Sequence, residues 1–200
     1  MTPEQEARAL ARECLETRRW EGNVALMVLD AAFTSVGLNY FGTVVPAVKK
    51  IVGRDPSIDL EELSRARPIY SVWKNKRSWH VAKSVSKILL GYGKTDRERI
   101  RNWAKSTRLE EWEDDPVGRI KGVGLNTWQY LRMMVGVNTL MPDKIVKRFL
   151  EKEYKIQAEE DIKLIQKTEE KEPVFLCWLA WIKESGEHGK TTLCSDLFVQ

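Results

Sequence analysis

Apolar residues recur along this chain at spacings of three and four, the period of a helix with one buried face. Val24, Met27, Val28 and Ala31 form one such stripe, Val81, Val85, Ile88 and Leu89 a second, and Trp128, Leu131, Met134 and Val135 a third. No convincing pair of strands emerges, so the pattern predicts an all-α protein. Punctuation residues fit short helices. Thr2-Pro3 opens one, Gly53 to Ser57 breaks another, Ser57 or Asp59 can cap the next, and Gly91-Tyr92-Gly93 closes the helix that carries Val81. The expected elements are residues 3–19, 23–35, 42–52, 59–65, 76–90, 95–108, 112–119, 125–135, 142–153, 159–170 and 173–184.

No repeat or low-complexity linker divides the chain, which leads us to expect a single helical unit over residues 1–200. Within it, a central lobe of residues 40–135 can pack against a lobe formed by both termini. A hydrophobic fraction of 42% over 200 residues is enough for a substantial core. No run approaches the roughly 18 apolar residues that cross a bilayer. The start, MTPEQEARALARE, lacks the basic-then-apolar layout of a secretory signal, so a cytoplasmic, nucleoid-associated protein is expected. Cys14, Cys177 and Cys194 are far apart and form no CxxC pair, which argues for free thiols rather than a zinc site or an iron-sulfur cluster. His80 and His188 likewise have no second ligand at metal-binding spacing.

Charge changes the picture more than composition does. The formal net charge is only +4, but it is segregated. Between Tyr70 and Arg108, eleven Lys or Arg face only Asp96 and Glu98, a net of +9; between Val117 and Leu150, six face only Asp143, a net of +5. Two basic blocks in an otherwise acidic chain suit a polyanionic partner, although lysines that merely solvate helix faces give the same composition.

The second block contains the most specific stretch, VGRIKGVGLNTWQYLRMMVGVNTLMPDKIVKRFL. Here a helix is expected to end, Gly122-Val123-Gly124 to make a tight hairpin, and a second helix to begin. Glycines that tolerate positive φ and carry no side chain let a phosphate approach the amides at that helix start. Lys121, Gly122, Val123, Gly124, Asn126 and Thr127 are the candidate backbone contacts, with Lys144, Lys147, Lys76 and Arg77 as flanking cations.

This stretch, with its Gly-Val-Gly hairpin and Pro142-Asp143, resembles the helix-hairpin-helix, loop and Asp-bearing helix of the HhH-GPD superfamily of DNA glycosylases, which includes endonuclease III and the alkyladenine glycosylases. Upstream, LEELSRARPIYSVWKNKRSWHVAKSVSKIL is similar to the family's Lys-bearing helix segment, and FLCWLAWIKESG resembles its closing Trp-containing helix. The resemblance covers about residues 22–185 and is specific only over 117–150. It implies two helical lobes with a cleft between them and a monomer that acts in base-excision repair on double-stranded DNA carrying a modified or mispaired base.

By the same resemblance Asp143 falls on the catalytic aspartate, which supports positive charge at the sugar as the base leaves. Asp143 is equally suited to cap the helix it starts. Bifunctional relatives carry a lysine where this chain has Asn126, so the resemblance implies a monofunctional enzyme that uses water. An AP lyase would need a displaced lysine such as Lys121 or Lys144. Ala31-Ala32 stands where many members have a Gln pair that enters the DNA stack. Asp30, Asn39 and Tyr40 are candidates to line a base pocket nearby, Tyr40 by stacking and Asn39 by bonding the base edge. The resemblance also implies one monovalent cation, K or Na, on the carbonyls of Gly118, Ile120 and Val123, and no other cofactor. The rival reading is a non-catalytic helix-hairpin-helix protein that binds DNA and has lost the chemistry.

Overall fold

The computed structural model describes residues 1–37 and 39–186 and is all-helical over them; His188 and Cys194 lie outside the described residues. The ten helices among the described residues are α1 (Pro3–Leu15), α2 (Val24–Thr34), α3 (Val45–Val52), α4 (Leu60–Arg65), α5 (Lys76–Leu89), α6 (Asp96–Ser106), α7 (Leu125–Met134), α8 (Lys144–Tyr154), α9 (Asp161–Thr168) and α10 (Pro173–Ser185).

Local chemistry sets most of the starts. Thr2, Asp59 and Thr95 each accept from the backbone N–H three residues on, while Gln5, Glu62 and Glu98 reach back to the cap, giving α1, α4 and α6 full capping boxes. Asn23, Asn75 and Asp143 cap α2, α5 and α8 with one side-chain bond each.

Helix α2 is the centre of the molecule. Its first ten residues, Val24 to Phe33, are all buried, and α3, α5, α6 and α7 pack around it. A helix that is apolar on every side has to be enclosed, and VALMVLDAAF meets that requirement at every position but Asp30. On one side α1 and α8 pack on α10; on the other α4 packs on α5. One continuous apolar cluster runs through both groups.

Two expected helices come out differently. The first ends at Leu15 rather than residue 19, because Thr17, Trp20 and Glu21 all take positive φ. Arg97 and Arg101 of α6 hold that turn, donating to the Glu16 carbonyl at 2.9 and 3.5 Å, with Arg101 also donating to Thr17 Oγ1 at 3.1 Å. Residues 112–119 form a string of turns and no helix. The cause is Asp115, whose carboxylate accepts from the backbone N–H groups of Val117 and Gly118 and from the indoles of Trp103 and Trp128. A Cβ at Gly118 would overlap the Trp112 carbonyl oxygen, so this wrap depends on glycine there.

Candidate functional site

The Asp115 wrap delivers the chain into the hairpin. Gly122 has φ +108°, and a Cβ there would lie 2.8 Å from Arg77 Nε and 3.0 Å from Val81. Arg77 Nη2 donates to the Gly122 carbonyl at 3.2 Å. Gly122 is thus glycine for a turn and for packing against α5. Gly124 differs: its backbone is extended, at φ −119°, and a Cβ there would meet nothing within 4 Å. The positive φ expected at both glycines is therefore realised at Gly122 alone, while the open approach is found at Gly124. No side chain caps α7, which leaves its first-turn N–H groups directed outward beside that open glycine.

Asp143 lies across from this helix start. Its Oδ1 accepts from Val146 N–H at 2.7 Å and its Oδ2 from the Trp181 indole N–H at 2.8 Å. Burial pushes the carboxyl above the usual aspartate range, while the bonds from Val146 and Trp181 and the charge of Lys147 pull it back. The group stays half-buried and keeps an open side toward a cleft.

That cleft has a volume of about 590 Å³, within the ordinary range for a small-ligand site. The hairpin residues Gly122, Gly124, Leu125, Asn126 and Thr127 form one wall, and Asp143, Met141, Trp181 and Asp161 another. Ala31, Asn39 and Tyr40 close the third side, so residues from Ala31 to Trp181 face one volume. No lysine among the described residues lines it.

The structure sorts the remaining expected residues. Asn39 reaches the cleft but also caps the turn Tyr40–Val44, accepting from Gly42 N–H at 2.8 Å. Tyr40 reaches it only in part: the residue is 8% exposed and its ring packs on Tyr130, Trp178 and Trp181. Asp30 lies behind the wall and does not line the pocket. It is fully buried, and its Oδ2 accepts from Trp20 Nε1, Tyr40 OH and Tyr130 OH at 2.8, 3.0 and 3.1 Å. A carboxylate inside an apolar helix needs partners, and this requirement explains Asp30 without a ligand.

Lys121, Asn126, Lys144 and Lys76 are exposed. Lys147 is engaged by Asp161 at 2.6 Å, so its charge is neutralised rather than free for a phosphate. Of the carbonyls considered for a cation, that of Ile120 already accepts from Val123 N–H at 2.9 Å, which uses one of its two lone pairs. Cys14 and Cys177 are free buried thiols, as expected. Among the described residues no cluster of His, Cys, Asp and Glu is arranged to hold a metal, and no helix is long and apolar enough to cross a membrane.

Sequence reasoning missed Trp181 and Asp161. The eight Trp of the chain stand out in the sequence, but nothing in helical periodicity says which indole will point its N–H at Asp143. Compared with known families, characterised proteins and solved structures, the chain matches none.

Proposed function

We propose that this chain is a DNA N-glycosylase of the HhH-GPD kind, acting on duplex DNA with a modified or mispaired base. One observation carries the reading: Asp143 faces the same cleft as the uncapped start of α7 and its open glycine, Gly124. A phosphodiester at the α7 amides brings the neighbouring sugar toward Asp143. An extruded base then occupies the cleft, with Trp181 and Tyr40 offering apolar surface and Asn39 a polar edge. As the bond between base and sugar breaks, positive charge grows on the sugar ring. The ionised Asp143 stabilises it and orients the attacking water. The Trp181 and Val146 donors favour the ionised form that this role needs.

With no lysine among the described residues that line the cleft, hydrolysis fits the site better than Schiff-base chemistry. A second reading draws support from the same carboxylate. Its bond from Val146 N–H already accounts for Asp143 as a helix cap, which is what a DNA-binding protein without the chemistry would retain.

The test is incubation with duplexes carrying uracil, thymine mispairs, hypoxanthine, oxidised guanine, alkylated adenine or an abasic site, analysed with and without alkali. Strand breakage only after alkali is the expected result and names the base. Breakage without alkali would move the reading to a lyase. Binding without any cleavage would favour the non-catalytic protein.

A further inference from the structure

Helix α5 breaks a local rule. Negative side chains stabilise a helix N-terminus and positive ones oppose its dipole. Helices α1, α4 and α6 obey, with Glu4 and Glu6, Glu61 and Glu62, and Asp96 and Glu98 in their first turns. By contrast α5 opens on Lys76-Arg77 and contains no acidic residue over its whole length, KRSWHVAKSVSKIL; α8, which opens on Lys144, likewise has no acidic residue in its first turn. Departures of this sort, made against stability, tend to mark function.

The Lys and His residues of α5 are also ordered. Lys76, His80, Lys83 and Lys87 follow at spacings of four, three and four, which places them on one face. Together with Ser64, Pro68, Trp79 and Ser84 they line a groove of about 380 Å³ beside α4, and among the described residues no carboxylate lines it. Elsewhere Lys147, Lys152, Lys163 and Lys183 pair with acidic side chains. Among the described residues Lys76, Lys83 and Lys87 have no such pair, and all but Lys83 and the groove floor are exposed.

Position ties the groove to the cleft. Arg77, next to Lys76, bonds the hairpin carbonyl of Gly122 and lines the cleft. From Lys76 to Lys87 the stripe therefore runs away from the cleft rim for roughly 16 Å, or about five base-pair steps of duplex. An anionic membrane would call for apolar anchors beside the charges, yet none of the exposed large apolar residues, Met1, Leu15, Tyr70 and Tyr154, lines the groove.

We infer that the α5 groove is a second nucleic-acid contact, in which Lys76, His80, Lys83 and Lys87 follow the phosphate backbone of duplex flanking the cleft. The inference rests on the DNA reading above but concerns a surface separate from Asp143 and the hairpin. It assigns the groove to grip and register and gives it no part in base choice.

Fluorescence anisotropy of the full chain across a KCl series tests it, using a short duplex that fills only the cleft and hairpin and one extended by about ten base pairs. Lys83→Gln/Lys87→Gln is expected to weaken the extended duplex about tenfold. Its plot of log affinity against log salt becomes shallower by about 2, while the short duplex and a Lys171→Gln control are unchanged. An unchanged salt slope on the extended duplex overturns the inference, as does an equal loss at both lengths. So does loss of binding to phosphatidylserine vesicles with duplex binding intact. Failure of the unaltered protein to bind any duplex would overturn the DNA reading itself, a distinct result.

Discussion

Asp30 and Asp143 are built alike but differ in what can reach them. Each accepts a Trp indole N–H at 2.8 Å, from Trp20 and Trp181, and burial raises each carboxyl above its ordinary range. Asp30 then receives two phenols as well, has the Arg19 charge close by, and meets no solvent. Asp143 receives one backbone N–H and keeps an open side on a cleft. The contrast teaches that a buried, perturbed carboxylate marks function only where something else can reach it.

Removing each group separates the two roles. Asp30→Ala removes the acceptor that the Trp20 indole and the hydroxyls of Tyr40 and Tyr130 share in the core, and leaves the buried Arg19 with Glu13 as its counter-charge. A loss of about 3 to 5 kcal/mol in unfolding free energy is expected by denaturant titration. A loss below about 1 kcal/mol would mean the network is not the keystone its geometry suggests. Asp143→Asn keeps an acceptor for Val146 N–H, so its stability falls by only about 1 to 2 kcal/mol. On the proposed function its turnover falls at least about 100-fold with duplex affinity retained. Undiminished turnover would leave Asp143 as a cap and no more.

The sequence made the cap at Asp143 legible and misplaced Asp30. Asp143 stood alone in a basic block after a proline, and its capping follows from that local context; its place beside the hairpin came from the resemblance. Asp30 was assigned to a base pocket because it adjoins Ala31-Ala32 in the helix that the resemblance picks out, and such a likeness says nothing of what packs on every side of a residue. Helix starts at Val24, Leu60, Lys76 and Leu125 were legible from caps and stripes. The turns at residues 112–119 were not, since they depend on Asp115 gathering partners from Trp103 and Trp128. Trp181 escaped for the same reason, as its partner is 38 residues away.

The hairpin repeats the contrast between interior and cleft on a smaller scale. Gly122→Ala forces a side chain into positive φ and against Arg77 and Val81, and a loss of about 1 to 3 kcal/mol is expected in thermal unfolding. Gly124→Ala meets no neighbour and should leave stability within about 0.5 kcal/mol. The added methyl stands where a phosphate would approach, so duplex affinity should fall several-fold by anisotropy. Equal effects at the two glycines, on either measure, would erase the distinction drawn between them.

Trp181→Phe gives the smallest and most informative change, because it deletes one N–H from Asp143 and keeps an aromatic wall. That donor favours the ionised carboxylate, so without it the folded-state value, already raised above 3.8 by burial, rises further. The acid limb of the rate profile should therefore move to higher pH, with turnover at neutral pH reduced about tenfold or less. Stability supplies the same sign without any substrate. A carboxyl whose folded-state value is raised holds its proton more tightly in the native state, so its contribution is complete below about 3.8 and is lost as pH climbs through the raised value. In Trp181→Phe that loss should extend to higher pH than in the unaltered protein, and in Asp143→Asn the part due to this group should be absent. Should the Trp181→Phe curve shift to lower pH, the indole N–H would not favour the ionised form of Asp143, and its kinship with Asp30 would fail.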